Sequence, residues 1–352
     1  MKSYDVCECG APLRLVERPT PEPKGSEVLL RVLAAGVCHT DLHLGEGFYD
    51  LGSGKRLKMS DRGVKLPLTM GHENVGEVVA VGPEARGVAV GDRRLVFPWI
   101  GCGHCAPCRR GDENLCGSPQ TIGIFRAGGY SDHLLVPHPR CLFDVGDLAP
   151  EQAAPLACSG LTTFGALKKL GPFLERELTV IIGAGGLGLM CLSLLEAMGG
   201  RGAVVVDIDA RKREAALKAG ALAVVDAAAP DAVQQITAAA GGGAWGVIDL
   251  VGASSTVQLG MASLAKGGKL IVVGLFGGDL PVSAALLPLR AIALQGSYVG
   301  TPAEQAELLA LVRRAGMPSL PITTRPLSEV NAALGDLKAG KLVGRTVLTP
   351  AG

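Results

Sequence analysis

Two textures of hydrophobic patterning divide the chain. Up to about residue 155, apolar residues come in short runs punctuated by Gly and Pro, such as Val28–Leu33 and Val75–Val81. Short β-rich runs between turn signals, with few helical periods, predict a compact β-rich unit. Gly47–Val64 is polar and Gly-containing and reads as a loop. From about residue 178, fully apolar runs alternate with helical periods. Leu178–Ile182 leads through a Gly-rich turn into an apolar helix-like run to Met198. Ala203–Val206, the helical Arg211–Ala219, Ala223–Val225, Val247–Val251 and Lys269–Val273 continue the alternation. Strands without polar positions, separated by helices, predict a parallel sheet buried on both faces. Ala227–Ala240 and Ala303–Ala315 read as helices, and Gly344–Leu348 as a closing strand. No internal repeat and no low-complexity tract interrupts this order.

Composition narrows the classes without naming a function. The 352 residues predict two domains, and 48% hydrophobic with 19% charged residues is an ordinary globular balance. Thirty-four basic against 33 acidic groups leave a net charge of +1, which argues against a nucleic-acid or anionic-membrane binder. No stretch of about 18 apolar residues is present, so no transmembrane helix is expected. Met1–Asp5 has no apolar signal core, and the expected location is the cytoplasm, where thiols stay reduced. Ten cysteines there must serve something other than disulfides.

The first chemical motif lies where the patterning changes. Gly183-Ala184-Gly185-Gly186-Leu187-Gly188 follows a predicted strand and opens a predicted helix, and Asp207 ends the next strand nineteen residues later. In a βαβ unit this is the dinucleotide fingerprint: glycines let backbone N–H groups approach a pyrophosphate at a helix N-terminus. Asp207 would accept hydrogen bonds from the adenosine ribose hydroxyls and repel a 2′-phosphate, which favours NAD over NADP. Asp209 reads as the N-cap of the helix beginning near Arg211. Arg211 and Lys212 are expected to face the adenine edge or solvent.

The second motif is metallic. Cys102, Cys105, Cys108 and Cys116 place four thiols within fifteen residues, the spacing of a closed tetrahedral zinc site with no open position for catalysis. An iron–sulfur cluster is the rival reading. It is disfavoured because the fourth Cys follows after seven residues and precedes Gly117 rather than Pro. A dispersed third group comprises Cys38-His39-Thr40-Asp41-Leu42-His43, Gly71-His72-Glu73 and Cys158. Catalytic zinc commonly takes three protein ligands, Cys2His among them. Spacing alone does not select these three from six histidines and ten cysteines, and buried free thiols beside a core histidine remain an equal reading.

In order along the chain, C-H-T-D-x-H, G-H-E-x-x-G-E-V, the four-cysteine lobe, C-S-G-L-T-T, G-A-G-G-L-G and G-R-T-V-L resemble the zinc-containing medium-chain alcohol dehydrogenases. The resemblance spans essentially the whole chain, and is strongest to the tetrameric bacterial and archaeal enzymes. It implies an α/β fold: a GroES-like β-rich catalytic domain formed by residues 1–155 and 296–352, and a Rossmann doubly wound parallel-sheet domain between them, 156–295. It implies Cys38, His72 and Cys158 as catalytic-zinc ligands, Glu73 behind the metal, and Asp41 orienting His72. Thr40 would bond the substrate hydroxyl, and His43 would end a proton relay running through Thr40 and the cofactor ribose. His39 and Arg345 would sit near the pyrophosphate. Thr162, Leu187, Val273 and Leu275 would hold the nicotinamide, and Gly183, Gly185, Gly186, Gly188, Asp207 and Lys212 complete the cofactor contacts. The implied reaction is reversible hydride transfer between a primary or secondary alcohol and NAD, with two zinc ions per chain and a homotetramer. Cys158 separates the chain from polyol dehydrogenases, which place a carboxylate there, and a zinc-free quinone reductase would lack both cysteine sets. A dehydrogenase specialised for a cyclic or thioester-bearing alcohol is the alternative; a non-enzymatic zinc or nucleic-acid module is disfavoured. Trp99, Phe48 and Leu275 read as pocket wall, suggesting an apolar alcohol; Trp99 packed simply beside the four-cysteine lobe is the plainer alternative. Cys7, Cys9, Cys141 and Cys191 read as inert thiols.

Overall fold

In the computed structural model, which describes residues 1–350, the two textures become two kinds of sheet. Strands Thr179–Ile182, Ala203–Asp207, Ala223–Asp226, Ala244–Asp249, Leu264–Val272 and Ala293–Gly296 form one six-stranded sheet, all in parallel. Its spatial order runs 223–226, 203–207, 179–182, 244–249, 264–272, 293–296. The chain therefore builds outward from Thr179–Ile182 in one direction, then returns to its other side and continues. That reversal opens a crevice at the carboxyl ends of the first and fourth strands, where open α/β sheets take their ligands. The central strands are apolar on both faces because helices cover both: Val180, Ile181, Val204, Val205, Val247 and Ile248 are all buried.

The N-terminal texture folds into a seven-stranded sheet whose spine is Val28–Gly36 against Glu73–Val81, antiparallel. The closing strand, Arg345–Thr349, pairs with Val28–Gly36, and Ile322–Pro326 pairs in parallel with Arg345–Thr349. The last segment of the chain thus returns to the first sheet. Lys2–Val6, Arg14–Glu17 and Leu68–Thr69 form a smaller sheet beside it.

Two expectations are corrected. Gly47–Val64 is not a loop: Phe48–Gly52 and Lys55–Lys58 form an antiparallel hairpin, followed by a single helical turn at Ser60–Arg62. Ser53 and Gly54, both at positive φ (49° and 72°), make the two-residue turn that a right-twisted hairpin requires. The hairpin tip reaches the parallel-sheet domain, where the Ser53 hydroxyl donates to Asp279 at 2.5 Å. The helix expected over Ala227–Ala240 spans only Ala232–Ala239, because Pro230 biases the residue before it away from helix. Helix Ala210–Lys218 begins as expected on Asp209, whose carboxylate accepts from the Arg211 N–H at 2.8 Å.

Candidate active site and dinucleotide crevice

Three separate chain segments converge on one point. Cys38 stands just past Val28–Gly36, at the N-cap of helix His39–Glu46. His72 lies in the link into strand Glu73–Val81, and Cys158 precedes helix Ser159–Lys168. All three are buried, and their ligand atoms lie within 4.8 Å of one another. Asp41, wholly buried, holds the histidine. One of its oxygens lies 3.3 Å from His72 Nδ1, and the other accepts from the Cys38 N–H at 3.0 Å and the Tyr130 hydroxyl at 2.7 Å. His72 Nε2 has no hydrogen-bond partner although it is fully enclosed. A buried unpartnered ring nitrogen is costly unless something binds it. The Cys158 thiol beside it holds Cys38 well below the usual range, and the same contact, with burial, pushes Cys158 up. One imidazole and two thiols, oriented from outside by a carboxylate, fit a zinc ion with Cys2His ligation.

Behind this group, Glu73 bridges the two halves of the site. It pairs with Arg345, buried like itself, and accepts from the Ser159 N–H at 3.1 Å. Burial pushes Glu73 up to about 7 against the pull of Arg345. The Glu73 carboxylate lies where a Cβ on Gly36 would be, and the Arg345 stem fills the same space beside Gly186. Arg345 therefore runs from Glu73 to the turn that opens helix Gly186–Ala197, in the direction of the expected pyrophosphate.

At that turn Gly183 has φ 97°, open to glycine but rarely to other residues, and a Cβ on Gly188 would collide with the Gly183 carbonyl. Gly185 caps the helix. Asp207 is fixed by the turn itself: its carboxylate accepts from the Ala184 N–H at 2.7 Å and the Asp209 N–H at 2.8 Å. Arg211 is tied to Asp209 at 2.7 Å, whereas Lys212 forms no ion pair among the described residues and lies near enough to His39 to act on its charge. Partial desolvation, with Arg345 and Lys212 behind it, holds His39 below its usual pKa. Leu187 is half-buried, Val273 buried and Leu275 46% exposed. Thr162 is buried one helical turn after Cys158, its hydroxyl 4.0 Å from that sulfur.

The front of the site is aromatic. The Trp99 ring meets His72 edge-on at 5.5 Å between centroids, while its indole N–H donates to the Ala157 carbonyl at 3.0 Å. Tyr298 packs against Trp99 at 5.9 Å. His43 and Tyr49 lie 4.8 Å apart, and desolvation followed by repulsion from His39 lowers the His43 pKa. Thr40 is half-buried on the helix between Cys38 and His43. Phe48 stacks instead under Arg56 at 4.0 Å. Tyr49, Arg62, Tyr130 and Tyr298 were not singled out from sequence. Arg62 and Tyr49 sit in a stretch that reads as solvated loop, and nothing local distinguishes Tyr130 or Tyr298 from packing residues.

The four-cysteine lobe is a separate cluster. Its sulfurs also lie within 4.8 Å of one another, with Cys105 to Cys108 at 3.4 Å. Backbone N–H groups of Cys102, Cys105 and Ser118 point at sulfur at 3.3–3.4 Å. Such donors favour thiolates, and Cys102 is drawn down to about 6, first by a backbone bond at His104. The donor set is that of a closed zinc site.

Residues 24–147 match the family model described as alcohol dehydrogenase GroES-like domain, and residues 186–314 match that described as zinc-binding dehydrogenase. An NAD-dependent alcohol dehydrogenase of Sulfurisphaera tokodaii is 40% identical, with 99% of this chain and 100% of that protein covered. Among solved structures, an alcohol dehydrogenase from Aeropyrum pernix superposes with a TM-score of 0.90 at 32% identity, covering 99% of this chain and 100% of the other. A D-arabinose dehydrogenase from Sulfolobus solfataricus superposes with a TM-score of 0.83 at 31% identity, covering 99% of each chain.

 

Proposed function

We propose residue roles for a chain that belongs to the zinc-containing medium-chain alcohol dehydrogenases. It is an oxidoreductase that moves a hydride reversibly between an alcohol and NAD, giving an aldehyde or ketone, with zinc and NAD as cofactors. The observation that carries the site assignment is the convergence of Cys38, His72 and Cys158, with the enclosed His72 Nε2 left without a partner.

Cys38, His72 and Cys158 would hold the catalytic zinc, with Asp41 at His72 Nδ1 leaving Nε2 free to bind it. When bound, zinc supplies Lewis-acid polarisation, of the kind that lowers the pKa of bound water to about 7. Thr40 holds the substrate hydroxyl and passes its proton outward. His43 is neutral at pH 7, because its pKa is lowered, and receives that proton on the way to solvent. Glu73 and Arg345 keep the back of the site rigid and charge-balanced. Trp99 and Tyr298 exclude water from the reacting face.

Gly183, Gly185, Gly186 and Gly188 admit the pyrophosphate, with His39, Arg345 and Lys212 as its cationic neighbours. Asp207 takes the adenosine ribose, and Thr162, Leu187, Val273 and Leu275 take the nicotinamide. Cys102, Cys105, Cys108 and Cys116 hold a second zinc, making two per chain. The catalytic domain comprises 1–155 with 296–352 and the NAD-binding domain 156–295, a division supported by the pairing of Arg345–Thr349 with Val28–Gly36.

A homotetramer is supported by the exposed edge strand Ala293–Gly296 and by exposed Leu286, Leu289 and Phe276. Six cysteines in ligand sets suit the reducing cytoplasm, and no described helix is long and apolar enough to cross a membrane. The test is NADH absorbance at 340 nm with NAD and primary, secondary and aromatic alcohols. Turnover of at least one class is expected; none with any alcohol, in zinc-replete protein, overturns the reading.

A further inference from the structure

Arg62 is a cation that the fold leaves without a counter-charge. It ends the helical turn Ser60–Arg62, is half-buried, and pairs with no carboxylate among the described residues. Its guanidinium lies 5.8 Å from the ring centroids of both Tyr49 and Phe125. Together with Trp99, Asn114 and Tyr298 it lines an open cavity. That cavity adjoins the reaction centre, since Trp99 rests on the ring of His72 and Tyr298 rests on Trp99.

Both tyrosines near Arg62 feel its charge. Burial raises the pKa of each, the charge of Cys38 acts on Tyr49 and that of Cys158 on Tyr298, and Arg62 opposes the rise in both. Arg62 therefore stands between the aromatic walls of that cavity. Glu113, the acid that shares the cavity, is already engaged: it pairs with Arg140 and accepts from the Gly101 N–H at 3.0 Å. Asp61 accepts from the neighbouring Ser60 hydroxyl at 3.3 Å. Asn114 donates to the Tyr298 carbonyl at 2.9 Å, leaving its own side-chain oxygen enclosed and unpartnered in the same wall.

An apolar alcohol would leave this guanidinium unanswered. A planar five-donor fork flanked by aromatic faces is suited to a carboxylate or phosphate oxygen pair. We propose that Arg62 determines specificity for an alcohol bearing an anionic group at the end remote from its hydroxyl, with Arg62 holding that anion while the carbinol end lies at Cys38, His72 and Cys158. The inference rests on the dehydrogenase reading above and adds the substrate's second functional group. The reaction itself is unchanged: CH–OH and NAD⁺ give C=O, NADH and a proton.

The experiment measures kcat/KM with NAD for a series of ω-hydroxycarboxylates, the n-alkanols of equal chain length, and hydroxyalkyl phosphates. A charged hydrogen bond in a partly enclosed site is worth about tenfold or more in affinity. The best anionic substrate should exceed its alkanol by at least about tenfold, and the carboxylate or phosphate arm identifies the anion. Arg62→Gln should lower the anionic value at least ten times more than the alkanol value, chiefly through KM. Arg62→Lys should recover part of the loss, keeping the charge without the fork. Independently of turnover, hexanoate should perturb the fluorescence of Trp99 in the native protein and not in R62Q. Alkanols turned over as well as their anionic counterparts, or equal losses on both classes in R62Q, overturn the assignment of Arg62. Failure to oxidise any alcohol overturns the underlying dehydrogenase reading, and the fluorescence titration then still decides whether Arg62 binds anions.

Discussion

Asp207→Ser is expected to change which dinucleotide the protein prefers. The Asp207 carboxylate is 9% exposed and held at the strand end by N–H groups of Ala184 and Asp209, at 2.7 and 2.8 Å. It cannot swing away from a 2′-phosphate without giving up both bonds. One unit of like charge at about 5 Å, with an effective dielectric of about 20, opposes binding by about 3 kcal/mol. That is roughly a hundredfold in affinity, before counting the ribose bonds lost, so the native protein should favour NAD by at least that factor. Serine removes the charge while retaining a hydroxyl, and NAD binding should weaken by about tenfold.

The gain for NADP depends on which cation answers the phosphate. Arg211 is occupied, paired with Asp209 at 2.7 Å, whereas Lys212 has no such partner. Asp207→Ser should therefore support NADP through Lys212, and adding Lys212→Ala should remove most of the gain. Adding Asp209→Ala to the first change should instead release Arg211 and enlarge it. The assay is kcat/KM for both cofactors with one alcohol across the four proteins. Native preference for NADP, or a cofactor ratio that Asp207→Ser leaves in place, would refute the reasoning.

Two other outcomes follow from the same geometry. His43 has its pKa lowered by desolvation and by His39, so it remains neutral until the pH falls below the usual histidine range; His43→Ala should depress alcohol oxidation most below neutral pH, and an unshifted pH–rate profile would remove His43 from the relay. Mild chelation should abolish turnover before the protein unfolds, because the Cys38–His72–Cys158 site keeps an open position and the four-cysteine site does not; simultaneous loss of activity and of folded structure would count against two sites of different lability.

The parallel sheet was legible because its strand centres are apolar. Val180–Ile182 and Val204–Val206 are continuous apolar runs, fully buried, and burial on both faces accommodates them. The glycine turn and Asp207 were legible together because they are local: strand, turn, helix and acid fall within about 30 residues. The Phe48–Lys58 hairpin was hidden because a short two-stranded ribbon outside the core has no apolar alternation to display. Its one signal, the Ser53-Gly54 turn, sits among other glycines.

The metal-ligand group lay beyond spacing arguments. Cys38, His72 and Cys158 are 34 and 86 residues apart, and only the pairing of Val28–Gly36 with Glu73–Val81 brings the first two together. Resemblance supplied what periodicity could not. Trp99 shows the limit of both: its place on the His72 ring, with the indole N–H on Ala157, depends on the path of three segments. Arg62 shows the same limit from the polar side, since a charged residue in a polar stretch reads as solvated until the aromatic walls around it are seen.

The central claim, that Cys38, His72 and Cys158 hold the catalytic zinc, is tested most directly by counting metal in native protein and in Cys158→Ser. Elemental analysis is expected to give about two zinc per chain natively. In the variant it should give about one, with alcohol oxidation abolished and NADH still bound. Two zinc ions retained in Cys158→Ser with turnover intact, or stoichiometric iron with visible absorbance in the native protein, would contradict the assignment.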